Sequence, residues 1–259
     1  NYELFALRRL KIPTLLGAFI TLLDDRLGET IVLPLLPFLL EQFTTSATTL
    51  GFLTGTYAIS QFAAAPLIGA MSDRFGRKPI MIICVSGSVI GICLFAITVT
   101  LNWDSSLPLW ASSLPLFFLF LARIIDGFSG GTAATATTIL ADISTPENRA
   151  KTFGLIGVAF GLGFILGPGL GTALAKFSVT LPVWVASGFA IFNLIFVILF
   201  LPETLPKEKR NLLPRKRDLN PISQLIIVFK NPLARRFCLS FFVFFTAFNG
   251  FTAVLVFYL

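Results

Sequence analysis

Long apolar runs separated by short charged loops pattern this chain. Seven runs, at about 12–38, 48–71, 79–101, 108–141, 152–175, 182–201 and 236–258, have a length suited to membrane crossing. A helix needs roughly 20 mostly apolar residues to cross a hydrocarbon core of about 30 Å. Lipid offers the backbone no hydrogen bonds, so each run predicts a helix. Nothing alternates polar and apolar over the length of a membrane strand. The pattern predicts an all-α membrane protein with a six-helix bundle over 1–202. A basic cytoplasmic linker over 203–235 follows, then a seventh transmembrane helix over 236–259. Within the linker Leu219, Ile222, Leu225, Ile226 and Phe229 recur at helical spacing. That predicts an amphipathic helix at about 219–230 lying on lipid headgroups, with a floppy linker as the alternative. Stopping after the seventh helix, and starting at Asn1 rather than Met, the chain reads as incomplete.

Charge adds orientation. Of 20 Lys and Arg, Arg26 and Arg123 fall inside predicted helices and Lys176 in a loop on the opposite side, which leaves 17 on one face. That asymmetry predicts a cytoplasmic N-terminus. The net charge of +7 then reflects topology and attraction to anionic lipid rather than to nucleic acid, for which no basic helix or stacking module is present. Trp103 and Trp110 fit an external interfacial belt. With no histidine and no cysteine cluster, a histidine-based metal, heme or chlorophyll site is excluded and no cofactor is implied. Cys84, Cys93 and Cys238 read as small buried apolar residues.

The densest motif is the loop Gly69-Ala70-Met71-Ser72-Asp73-Arg74-Phe75-Gly76-Arg77-Lys78-Pro79. Gly69 would let a neighbouring helix approach, and Gly76 suits a sharp reversal. Asp73 can face a cation or a helix N-terminus, contacts that break when helices separate. The pattern G-x-x-x-D-R-x-G-R-K resembles the signature loop of the major facilitator superfamily, which implies a gating role for Gly69, Asp73, Arg74, Gly76 and Arg77. Tyr57-Ala58, Gln61, Ala65-Pro66 and Met71 through Gly76 look like the second helix of tetracycline/proton antiporters. Thr21-Leu22-Leu23-Asp24-Asp25, with Pro34 and Pro37, is similar to the first, and Asp25 falls on that family's intramembrane aspartate. Arg123-x-x-Asp126-Gly127 fits the superfamily's fourth-helix pattern, and Pro202-Glu203-Thr204 a common ending of the sixth. Gly163, Gly167, Pro168 and Gly171 resemble the fifth-helix signature of proton-driven drug antiporters. That resemblance implies a glycine face packed against a second half of the protein. The same glycines suit ordinary close packing, and Pro168 predicts a kink.

The intramembrane charges are the candidates for chemistry. A charge at mid-bilayer costs at least about 3 kcal/mol, so these groups should face a watery cavity or one another. Asp25 and Glu29 share a helix face, and Asp126 follows Arg123 by one turn. Low dielectric favours a neutral carboxyl and a nearby arginine an ionised one, so a carboxylate whose surroundings change can load and release a proton. The reading is proton coupling by Asp25 with Arg123 as charge partner, Glu29 and Asp126 as secondary groups and Gln61 at a polar cavity position. A structural ion-pair network is the alternative. The family implied is a secondary transporter, exporting a small amphipathic or drug-like compound against protons across a bacterial inner membrane. A truncated homolog serving as an accessory subunit of a membrane complex is the other reading. Either needs a partner wall, from a missing C-terminal half or another membrane chain. No nucleophile–base–metal arrangement or phosphate-binding loop points to an enzyme.

Overall fold

The structure, a computed structural model, describes residues 2–103, 113–210 and 220–255. Trp110, Leu219 and the basic cluster Arg215, Lys216 and Arg217 lie outside the described residues. In chain order the helices are α1 (Tyr2–Val32), α2 (Leu36–Leu40), α3 (Ala47–Phe75), α4 (Arg77–Thr100), α5 (Leu114–Ser129), α6 (Thr132–Ile143), α7 (Arg149–Ala175), α8 (Leu181–Phe200), α9 (Pro221–Lys230) and α10 (Pro232–Leu255).

Helix ends depart from the apolar runs for local reasons. Helix α1 begins at Tyr2, ahead of its first apolar run, because a helix can continue through the headgroup layer where lipid contact stops. It ends in a 3₁₀ turn, Leu33–Leu35, where Pro34 removes a backbone donor, and α2 resumes with Pro37 in its first turn. The predicted fourth helix is two. Gly130-Gly131 interrupts it, and a side chain on Gly131 would collide with Ile68 of α3. Pro168 sits inside a continuous α7, where Thr172 Oγ1 donates to the Pro168 carbonyl at 2.9 Å.

Four spans are long and apolar enough to cross a membrane among the described residues: Arg77–Thr100, Leu114–Ile143, Arg149–Ala175 and Leu181–Phe200. Helix α1 is too charged for that measure, and α3 is diluted by Thr, Ser, Tyr and Gln. These are also the helices that bring polar side chains to the interior. The chain is a multi-pass membrane protein.

Packing places α1 against α7 and α8, α4 against α5 and α8, and α3 against α5. Two large apolar cores stack along the bundle, with a smaller third at Ala64, Ile68, Ile80 and Cys84. One gathers Ile31, Leu53, Phe95, Val99, Leu119 and Val183. The other gathers Leu22, Met81, Val85, Ile139, Ala159 and Val197. On α1, α4 and α8 the positions between these cores hold Asp24 to Glu29, Ser88 and Asn193. A polar layer is thus sandwiched at mid-depth. The outward faces carry Ile191, Phe192, Ile195, Leu199 and Phe200, which suits lipid rather than water. Cysteine burial is uneven: Cys84 is buried, Cys93 half-buried and Cys238 exposed on α10, so the expectation that all three are buried holds only for the first.

Candidate functional site

A cavity of about 60 Å³ opens in the polar layer. A water needs roughly 10–15 Å³ of such space, so it takes a few waters or one small charged group. Its wall includes Asp24, Asp25, Arg26, Glu29, Arg123 and Asp126, with Tyr57, Ser88, Thr132 and Asn193 between them.

Glycines on facing helices set this geometry. A side chain at Gly91 of α4 would strike Asp126 Cβ at 2.8 Å, and one at Gly127 of α5 the Tyr57 carbonyl at 2.6 Å. A side chain at Gly163 of α7 would strike Arg26 Cβ at 2.7 Å. Without side chains there, α4, α5 and α7 approach closely enough to enclose the charges. Gly167 and Gly171 meet Thr30 and Ile31 in the same way, and Thr30 Oγ1 donates to the Gly163 carbonyl at 2.8 Å. The predicted glycine face therefore packs on α1 of the same bundle. Gly154, Gly157, Gly161 and Gly169 of α7 instead meet open space.

The charge pairing also differs from expectation. Arg26 takes Asp25, donating from Nη2 at 2.6 Å, and reaches Glu29 through Nη1 at 2.5 Å. Its guanidinium lies over the Phe160 ring, 4.9 Å from the centroid. Arg123 lies 3.7 Å from Asp126 and 4.6 Å from the Phe95 centroid, so it pairs within its own helix rather than with Asp25. The reason is proximity: Arg26–Glu29 and Arg123–Asp126 are each three positions apart on one helix face, where side chains meet without any helix moving. Asp24 is the most enclosed carboxylate of the group, 6% exposed, and its Oδ2 has no hydrogen-bond partner among the described residues. Gln61 does not line the cavity. Its amide donates to the Gly130 carbonyl at 3.1 Å and to Tyr57 Oη at 3.4 Å, bracing the break between α5 and α6.

A second cluster closes one end of the bundle. Arg77 Nη1 donates to Asp73 at 2.6 Å and to Ser72 Oγ at 3.0 Å, and its Nε donates to Asp142 at 3.0 Å. Gly76 turns the chain with φ +108°, ψ 162°. The Glu203 carboxylate then caps α4, accepting from Arg77 N at 2.9 Å and Lys78 N at 3.3 Å, with Arg210 3.6 Å away. Arg74 stays exposed over the Phe75 ring. A side chain at Gly69 would meet nothing within 4 Å, so the close approach expected there is absent among the described residues.

Sequence reasoning passed over Asn193, Ser88 and the Gly87/Gly91 pair. The signals were present: one amide in an otherwise apolar helix, and small residues four apart.

The profile of the Major Facilitator Superfamily matches residues 15–259. The human "Major facilitator superfamily domain-containing protein 10" is 36% identical over 221 residues, covering 74% of this chain and 45% of that protein. The "Tetracycline resistance protein, class B" of Escherichia coli is 34% identical over 194 residues, covering 74% and 44%. The crystal structure of the human organic anion transporter MFSD10 (TETRAN) superposes with a TM-score of 0.67 at 33% identity, over 82% of this chain and 54% of that one. The chain spans about half the length of the curated relatives it matches.

Proposed function

The chain belongs to the major facilitator superfamily, and from that premise we propose that it supplies the first half of a proton-coupled carrier. In this reading residues 1–202 form one wall of a midplane cavity, 203–235 the cytoplasmic linker, and 236–259 the start of the second half. The second half, or another membrane chain, supplies the facing wall, and the two rock to expose the cavity to either side in turn. The exported compound is small and amphipathic, exchanged for protons, and the work needs neither a cofactor nor an enzymatic step.

The observation that carries the reading is the sharing of Arg26 between Asp25 and Glu29, 2.6 and 2.5 Å away, on a half-buried stretch of α1. All three side chains sit on α1, so the sharing is upset when water, substrate or a competing charge enters the cavity and draws the guanidinium to one carboxylate. The one that loses it is left ionised in low dielectric and binds a proton. Return of the arginine expels that proton. Arg123 and Asp126, 3.7 Å apart on α5, add a single ion pair to the same cavity wall. The Asp73–Arg77–Asp142 cluster and Glu203 would hold the cytoplasmic end shut until these contacts part. The test uses the full-length protein in vesicles under an imposed pH gradient. Asp25→Asn should abolish gradient-driven transport while leaving substrate exchange without a gradient. Retained gradient-driven transport in that variant would remove Asp25 from the mechanism.

A further inference from the structure

Helix α9 is ten residues long, about 15 Å at 1.5 Å per residue, half of what a 30 Å hydrocarbon core requires. Its ends are defined all the same. Asn220 Oδ1 accepts from Ile222 N at 2.9 Å and Ser223 N at 3.4 Å. Asn231 Oδ1 accepts from Leu233 N at 3.0 Å and Ala234 N at 3.3 Å, which starts α10. The two helices thus meet at a capped corner, where the extended backbone of Asn231 and the ring of Pro232 stop α9. Ile222, Leu225, Ile226 and Phe229 fall on one face of α9, at i, i+3, i+4 and i+7, and are between 37% and 62% exposed. Ser223, Gln224 and Val228 are half-buried instead, and α9 packs on α3. This is the reverse of a surface helix in water, which turns its apolar stripe inward. We propose that α9 is a docking surface for anionic lipid, with the stripe seated in the upper acyl chains and Lys230, Arg235 and Arg236 on the phosphates of the same leaflet.

Charge separates lipid from the other occupants. From Lys207 to Arg236 the chain carries nine Lys and Arg against two Asp and Glu, a net +7 that equals the net charge of the whole protein. The remainder is balanced, so the excess is concentrated in this connector. Lys230, Arg235 and Arg236 are exposed, and none has a carboxylate partner among the described residues. A second half would bring basic loops to the same side of the membrane and repel them. An acidic soluble surface would match the cations but leave four large apolar side chains in water. A leaflet with anionic headgroups answers both, acyl chains for the stripe and phosphates for the cations. Docking also ties α3 to the leaflet through its contact with α9. Proton coupling plays no part in it.

The test is a nitroxide spin label at Ile226→Cys of the full-length protein in nanodiscs, with Cys93 and Cys238 changed to Ser and the buried Cys84 left in place. Collisions with oxygen, which concentrates in acyl chains, and with nickel-EDDA, which stays in water, report its depth. In phosphatidylcholine containing phosphatidylglycerol the label should be reached by oxygen and shielded from nickel. In phosphatidylcholine alone the docked fraction should fall. Lys230→Gln, Arg235→Gln and Arg236→Gln should each lower the docked-to-free ratio about fivefold in the anionic nanodiscs, the worth of one cation at such a surface. Together they should erase the difference between the two lipids. The charge-keeping set Lys230→Arg, Arg235→Lys and Arg236→Lys should retain it, which separates lost charge from lost folding. Salt at 1 M, where the screening length is about 3 Å, should act like the triple neutralisation. Equal depth in both lipids would reduce the contact to apolar seating and overturn the proposal. A label shielded from oxygen and nickel alike, and so covered by protein, would overturn it too, as would one open to nickel in both lipids.

Discussion

At Gly76 the backbone sits at φ +108° and ψ 162°, a conformation essentially restricted to glycine. A side chain there would also strike the Glu203 carboxylate and come within 2.9 Å of Arg210 Nη2. Gly76→Ala should therefore cost about 1–3 kcal/mol, read as a lowered melting temperature of the purified protein. Gly69 lies in the same motif but inside α3 with open space beside it. Gly69→Ala should leave stability unchanged or raise it by up to about 1 kcal/mol, the helix preference of alanine. Glu203 makes the complementary case. It accepts from three backbone donors, at Arg77, Lys78 and Leu205. Glu203→Ala should cost at least about 1 kcal/mol, as removal of a helix cap does. The readout is faster tryptic cleavage after Lys207 and Arg210, and an unchanged rate would show that the carboxylate does not hold the connector. Gly76 is legible from sequence because its need is local. The partner Glu203 is not, since its link to Arg77 spans 126 positions that no periodicity records.

Between elements, the site is a consequence of where helices lack side chains. Gly91 admits Asp126, Gly127 admits Tyr57, and Gly163 admits Arg26. The two sides of α7 should consequently respond oppositely to bulk. Gly163→Val, Gly167→Val and Gly171→Val would each drive a methyl group into α1, and overpacking of this kind costs about 1–3 kcal/mol. Gly157→Val and Gly161→Val meet open space within the described residues and should leave the bundle folded. Monodispersity on gel filtration separates the groups, and equal behaviour would show that the α1–α7 contact is not close. Small-residue spacing made this face visible in the sequence, but spacing names a face and not its partner. The expected pairing of Asp25 with Arg123 failed for a related reason. Proximity along α1 and α5 let each arginine take the carboxylate beside it, and only the folded bundle shows that choice.

For the whole molecule, the membrane assignment was legible because hydropathy is a bulk property, indifferent to which helix packs where. Its orientation rests on loop charge alone and is open to a direct check. Helix α7 has 27 residues, a length of about 40 Å at 1.5 Å per residue, enough to cross a 30 Å core with both ends in the headgroups. Its two ends therefore face opposite compartments. Glu147, ahead of α7, and Ser178, after it, are both exposed. Each is a site for a cysteine in a Cys238→Ser background, since Cys238 is the exposed cysteine among the described residues and would react on its own. If the basic loops lie in the cytoplasm, Ser178→Cys in intact cells reacts with a membrane-impermeant maleimide, and Glu147→Cys reacts only after permeabilisation. The reverse result would invert the bundle. The Arg77 cluster would then close the external end, and the exchange of protons for substrate would have to be redrawn in the opposite direction.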